Sequence, residues 1–197
     1  MPQLNDLESA IQTCQRCHLH KTRTNAVPGE GSYEAAVMFI GEAPGGREDR
    51  TGRPFVGRAG TVLDEALTAA SLERDSVYIT NVVKCRPPDN RDPTRHEIDT
   101  CTPYLDRQIE LIAPRVICTL GTFAAGYILS SYGFDAGPLS GIHGTVYRSP
   151  VAMLHIIPLY HPAAALYNPG LRDVIHEDMK KVASLAGATD KTGRDAP

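Results

Sequence analysis

The sequence predicts an α/β fold, a three-layer α/β/α sandwich around a central, mostly parallel four-stranded sheet. Three observations carry this. Four short apolar runs, at 36–40, 77–83, 116–120 and 153–159, have the length and composition of buried strands. Segments with helical apolar spacing alternate with them, the pattern of a parallel sheet covered on both faces. Polar or glycine residues collect at the ends of the runs: Gly41-Glu42, Asn81, Gly121 and His161. In such sheets ligands bind beyond the carboxyl ends of the strands, so four distant segments are expected to converge on one rim.

Each element has its own signal. Leu4, Leu7 and Ile11 share a helical face, and Asn5 with Glu8 has capping-box spacing. The run at 36–40 ends in Gly41. Leu63, Leu67 and Ala70 mark a helix, and 77–83 (VYITNVV) a second strand. Thr94 with Glu97 opens a short helix. Thr102 followed by Pro103 reads as the N-cap and first turn of a fresh helix reaching Ile112. A third strand at 116–120 is followed by a helix over 123–129. Residues 133–144 are turn-rich, 153–159 is the fourth strand, and 171–185 a closing helix. Residues 1–185 read as one domain and 186–197 as a polar tail.

The composition bounds the function. A chain of 197 residues, 42% hydrophobic and 22% charged, can bury a single core. A net charge of −3 excludes a generally basic protein that coats nucleic acid, so any such contact needs a local patch. The polar N-terminus does not read as a signal peptide, and no apolar run approaches the ~20 residues of a membrane helix. The chain reads as cytoplasmic, where thiols stay reduced, which disfavours disulfides.

Cys14 and Cys17 form a C-x-x-C pair, and Cys85 and Cys101 lie much later. Two cysteines at that spacing present both sulfurs from one turn, and a second pair completes a four-thiolate site. Zinc, redox chemistry and an iron–sulfur cluster all fit the spacing. Cys118, in the run VICTL, reads as a buried strand thiol. Two further segments stand out, G-E-A-P-G-G-R-E-D from Gly41 with G-R-P-F-V-G-R-A-G from Gly52, and T-N-V-V-K-C-R-P-P-D-N-R from Thr80. The first is neither a dinucleotide fingerprint nor a P-loop. A third is His161-Pro162-Ala163-Ala164.

Taken together, in this order and with the four cysteines, these motifs closely resemble the family-4 uracil-DNA glycosylases, the thermostable-type enzymes with a [4Fe–4S] cluster. The resemblance spans residues 4–185. It implies an enzyme that flips uracil out of DNA, single- or double-stranded, and hydrolyses its N-glycosidic bond, releasing free uracil and leaving an abasic site. Flipping costs a few kcal/mol. Phe55 matches the ring on which the base stacks, a contact worth about 1–3 kcal/mol. Asn81 matches the uracil reader: its amide donates to O4 and accepts from N3–H, whereas cytosine presents the opposite pair. Glu48 matches the position that crowds C5 against thymine's methyl. His161 matches the donor to O2, where negative charge develops.

Related glycosylases place an aspartate where this chain has Ala43, so Glu42 and Asn90 are expected to orient the attacking water. A dissociative transition state needs little push from it, by analogy with glycoside hydrolysis. Cys14, Cys17, Cys85 and Cys101 match the cluster ligands, and the cluster is expected to be structural, because glycosidic hydrolysis moves no electrons. Lys84, Arg86, Arg91 and Arg95 flank the cluster loop as candidate phosphate contacts. The other histidines, His18, His20, His96, His143, His155 and His176, have no motif support. The chain is expected to act as a monomer without membrane contact, on DNA of the nucleoid, with a sliding clamp left open as a partner. The alternatives are a zinc or cluster DNA-binding module, which leaves Phe55, Asn81 and His161 without a role, a relative that traps its product covalently, and a cluster redox enzyme. The trapping relative carries an inserted basic loop and a Gly-Gln first motif; this chain has Gly41-Glu42 and no such insertion.

Overall fold

Every residue of the strand Val37–Gly41 is buried, and so is every residue of Val116–Leu120. Strands this uniformly apolar need cover on both faces, and a computed structural model, which describes residues 2–150 and 153–187, supplies it. In chain order the elements are α1 (Pro2–Gln12), β1 (Glu30–Gly31), β2 (Val37–Gly41), α2 (Gly46–Thr51), α3 (Arg58–Ala69), β3 (Tyr78–Asn81), α4 (Arg95–Ile112), β4 (Val116–Leu120), α5 (Thr122–Ser131), α6 (Leu139–Ile142), β5 (Tyr147–Arg148), β6 (His155–Leu159), α7 (Ala164–Tyr167) and α8 (Leu171–Gly187).

The strands form one sheet in the order β1-β3-β2-β4-β6-β5. The inner four, β3, β2, β4 and β6, are parallel, and the two outer strands run antiparallel to them. The sheet therefore has six strands rather than the expected four. The additional pair are two-residue edges whose sequences, Glu30-Gly31 and Tyr147-Arg148, are too short to carry any periodicity.

Successive side chains point to opposite faces of a strand, and the core divides accordingly. Met38, Ile40, Ile117 and Ile156 pack with Leu4, Ile11, Leu105 and Ile128, from α1, α4 and α5. Val37, Phe39, Cys118 and Ile157 pack with Leu63, Leu67, Ile175 and Met179, from α3 and α8. Cys118 is the buried strand thiol its run implies. From β2 the chain passes to β3 on one side and later to β4 on the other, so the sheet order reverses beside β2. A crevice at the carboxyl ends of the strands is expected at such a switch point.

Two helix readings change. Thr94 and Glu97 do form a capping box, but the helix it opens runs unbroken from Arg95 to Ile112 with Pro103 inside it. An interior proline costs roughly 3 kcal/mol. Here the carbonyl it leaves without a donor, that of Asp99, belongs to an exposed residue, while Cys101, Thr102, Leu105, Gln108 and Ile112 are buried along the same helix. Asn5 and Glu8 do not cap α1, which begins upstream at Pro2. They reach outward instead, Asn5 accepting from the Tyr33 hydroxyl and Glu8 from that of Tyr78. The closing helix extends through Ala186 and Gly187, and residues 188–197 of the expected tail lie outside the described residues.

Candidate active site

A cavity of about 380 Å³ opens at the carboxyl rim of the sheet, within the range of small-ligand pockets. Glu42, Ala43, Glu48, Phe55, Asn81, Asn90 and His161 all line it, together with Pro44, Gly45, Ala59, Pro87, Arg91 and Ala163. Residues from four separate stretches of the chain thus meet around one space.

Gly41 makes the meeting geometrically accessible. It is the last residue of β2 and pairs in register with Asn81 of β3. A β-carbon there would lie 2.5 Å from Asn81 Oδ1 and 2.6 Å from Phe55 Cζ. Only a residue without a side chain lets the amide and the ring come this close. Beyond the strands the two loops run side by side, Val82 N–H donating to the Gly41 carbonyl and Val83 N–H to that of Glu42.

Phe55 is buried and has φ = +49°, a conformation unusual for an aromatic residue. Such strain persists only where the surroundings over-determine it. Arg74 donates to the Pro54 carbonyl on one side (2.7 Å), and on the other Glu48 Oε1 accepts from the N–H groups of Val56 (2.9 Å) and Gly57 (2.8 Å). Gly60 completes the fit, since a β-carbon there would collide with the Phe55 carbonyl oxygen at 1.9 Å. The Phe55 ring lies 5.7 Å from the His161 ring, tilted by 34°.

Asn81 is buried, and among the described residues its Oδ1 has no hydrogen-bond partner. Leaving a buried acceptor unpaired costs about 1–3 kcal/mol, a cost a ligand N–H can remove. His161 is oriented by its own turn: Ala163 N–H donates to Nδ1 at 3.1 Å. With Nδ1 accepting, the neutral ring carries its proton on Nε2 and is a donor there. Burial lowers the His161 pKa to about 4, opposed by the negative charge of Glu48.

Glu42 is half-buried, and its pKa is raised by burial first and then by the nearby charge of Asp92. Asn90 follows Asp89, both at φ = +54°, and its Oδ1 accepts from Arg86 Nε at 2.8 Å. Among the expected phosphate contacts, Lys84 is corrected: it is fully buried, with its ammonium bonded inside the protein, and does not reach the surface. Its position after β3 directs it inward, where the flanking charges in the sequence suggest a basic loop. Arg91 grips Glu97 through both oxygens, at 2.7 and 2.8 Å, and Arg95 pairs with Asp99.

Cys14, Cys17, Cys85 and Cys101 line a second, narrow cavity, walled by Ile11, Leu19 and Val83. Arg23 Nη1 donates to Cys85 Sγ (3.0 Å) and Lys84 N–H to Cys101 Sγ (3.2 Å). Burial raises both thiol pKa values, that of Cys101 to about 11, with these donors opposing it. Among the described residues no three His, Cys, Asp or Glu side chains form a site for a single metal ion. The four thiols thus bring the segment after α1, helix α4 and the segment after β3 to one cavity, with one guanidinium and one backbone N–H donating to sulfur.

The family model of the uracil DNA glycosylase superfamily matches residues 28–183. The chain belongs to this superfamily. Within it the similarity is to the type-4 enzymes. The type-4 uracil-DNA glycosylase of Sulfurisphaera tokodaii is 49% identical over 94% of this chain and 86% of its own length. That of Archaeoglobus fulgidus is 47% identical over 98% of both, and that of Thermotoga maritima 42% identical over 89% of this chain and 90% of its own. Membership of the glycosylase superfamily accords with the α/β class read from the strand and helix alternation.

Several contributors escaped the sequence reading. Gly41 marks a strand end in the sequence, and only the fold shows that it separates Phe55 from Asn81. Ala163 contributes through its N–H, which no side-chain pattern reveals, although its spacing two residues after His161 is that of a turn. Arg23 follows Cys17 by six residues, but the sulfur it donates to, that of Cys85, lies 62 positions further on.

Proposed function

We propose that this protein is a uracil-DNA glycosylase of DNA repair, which takes an extruded uracil into the rim cavity and hydrolyses its N-glycosidic bond. One observation carries this above the others: a buried, unpartnered amide oxygen on Asn81, beside the Phe55 ring, in a cavity that also holds His161. Uracil offers that oxygen its N3–H, and cytosine offers no donor at N3. The Asn81 amide N–H₂ then faces O4, so a wrong base meets two mismatched contacts.

In the proposed reaction Phe55 holds the flipped base by stacking and His161 Nε2–H donates to O2. Bond cleavage leaves positive character on the sugar and negative charge on the base, so this donor strengthens toward the transition state. Its contribution is roughly 3 kcal/mol. Glu42 is the better candidate to orient water, being a carboxylate of the cavity wall; Asn90 has its amide oxygen engaged by Arg86. Glu48 holds the Phe55 loop, and its place in the cavity suits it also to crowd C5. Arg86 and Arg91 stand near the mouth as candidates for phosphate contact.

The four thiols are proposed as ligands of a [4Fe–4S] cluster. Supporting this are a donor set of four cysteines from two distant segments, their shared apolar cavity, and two N–H donors directed at sulfur. The cluster would supply cohesion rather than redox chemistry. The cytosol, where uracil-containing DNA is met, is the proposed location.

The test is release of free uracil from a uracil-containing oligonucleotide. Wild type should leave an abasic site, and His161→Ala should be about 10²-fold slower with its visible cluster absorbance intact. An intact oligonucleotide after incubation with wild type would refute the activity, and equal rates would remove His161 from it. A band shifted on a denaturing gel would instead favour covalent trapping.

A further inference from the structure

We propose that Lys84 is a positioning residue for uracil recognition, its buried ammonium fixing the Asn81 backbone and with it the aim of the Asn81 amide. The inference rests on the glycosylase reading above and deepens it.

Lys84 is 1% exposed. Burial lowers the Lys84 pKa to about 7; in the protonated form Nζ has three hydrogens for the three acceptors within reach, Thr80 Oγ1 at 2.7 Å, the Asn81 carbonyl at 2.7 Å and Gln108 Oε1 at 2.6 Å. A buried charge is tolerated only when satisfied in this way, and filling the same space with an apolar side chain is often no less stable. The partners indicate what the charge accomplishes. Two of the three belong to consecutive residues at the end of β3. The ladder with β1 stops at Ile79; beyond it Thr80 Oγ1 donates to the Pro28 carbonyl, and Lys84 Nζ supplies the donor to the Asn81 carbonyl.

Asn81 is thus held through its backbone carbonyl by Lys84 while its side-chain oxygen stays unpaired and buried beside the cavity. A peptide plane fixed by a charge-assisted bond fixes the Cα–Cβ direction. Recognition by an amide depends on that direction at the sub-ångström scale. The same residue's N–H donates to Cys101 Sγ, so Lys84 also joins the thiol cavity to the reader. None of this requires Lys84 to touch substrate.

The experiment measures recognition rather than turnover. It uses an oligonucleotide carrying 2′-fluorinated deoxyuridine, whose glycosidic bond resists cleavage, against a matched deoxycytidine oligonucleotide. The readout is the ratio of the two Kd values, alongside Tm and visible cluster absorbance. Lys84→Met with full absorbance should lose about tenfold or more of the wild-type ratio. Gln108→Met breaks the same network without touching Asn81. It should lower Tm while keeping the ratio within about threefold. An unchanged ratio in Lys84→Met, or an equal loss in Gln108→Met, overturns the inference in favour of a purely structural network.

Should Lys84→Met not fold with its cluster, Lys84→Arg decides. It keeps the charge but cannot direct three donors from one atom, so a reduced ratio supports the role and an undiminished one rejects it. Wild type without any uracil preference would overturn the glycosylase reading and this one with it. Wild type with preference and Lys84 variants that retain it overturn this one alone.

Discussion

Replacing Gly41 by alanine adds one methyl group at the point where the proposed site is tightest. The new β-carbon would stand 2.5 Å from Asn81 Oδ1 and 2.6 Å from Phe55 Cζ. Ordinary contacts of this kind are near ~3.5 Å, so the amide and the ring must each retreat by the better part of an ångström, or the strand must. Neither is a loose end: Asn81 lies in the last register pair of β2 and β3, and the Phe55 loop is held by Arg74 and Glu48. A misplacement of about 1 Å costs on the order of 10²-fold in rate, or about 2.7 kcal/mol of transition-state stabilisation. The assay is single-turnover excision from a uracil oligonucleotide, with circular dichroism and cluster absorbance as controls for folding. Gly41→Ala that folds, keeps the absorbance of the proposed cluster and excises uracil within threefold of wild type would refute the placement of Phe55 and Asn81 around one base.

Three further outcomes are expected. Glu42 has a pKa held above its usual 4.5 by burial and by Asp92; a water-orienting carboxylate must be ionised, so kcat/KM should fall as pH drops through that raised value. In Glu42→Gln, slower by about 10², this limb should vanish and leave only a fall near pH 4, where His161 gains its proton; an unchanged acid limb assigns it to another group. Glu48→Ala strands two backbone donors and should lose about 1–3 kcal/mol of stability together with most activity, whereas Glu48→Gln, which keeps an acceptor for Val56 and Gly57, should retain most of the stability. Equal melting temperatures for the two variants would contradict that anchoring role. Cys14→Ala should abolish the visible absorbance and, by analogy with losing a long-range staple of about 3–5 kcal/mol, lower Tm by roughly 10 °C; an unaltered Tm would show that the four thiols hold nothing together.

The inner sheet was legible because its strands are buried on both faces, and continuous apolar runs such as VMFIG and VICTL have few other readings. The edges were not, since a two-residue strand is specified by its neighbour rather than by its own sequence. Pro103 misled for a related reason: local signals place a helix start there, but the burial of Leu105, Gln108 and Ile112 along α4 outweighs one lost hydrogen bond. Phe55, Asn81 and His161, which line one cavity, were legible through the resemblance that their motifs carry in combination with the cysteines. The candidate site was opaque where position does the work. Lys84 reads as a surface charge in a basic stretch, and only the folded chain reveals three acceptors around its Nζ.

The protonation state of His161 ties the environment to the proposed chemistry. A donor at O2 accelerates bond cleavage only to the extent that it holds the departing anion more tightly than the uncharged base. A neutral imidazole donating from Nε2 interacts weakly with a carbonyl oxygen and more strongly as that oxygen gains charge. Two independent features impose this state: the Ala163 N–H occupies Nδ1, and burial holds the pKa near 4. The linkage has a definite sign. Because the folded-state value lies below the ordinary 6.5, the unfolded chain takes up the proton first, and stability falls as pH drops from 6.5 to about 4, with no further loss from this group below that. Above 6.5 the ring is neutral in both states, so the environment that selects a donor over a cation at neutral pH carries no proton-linked stability cost there.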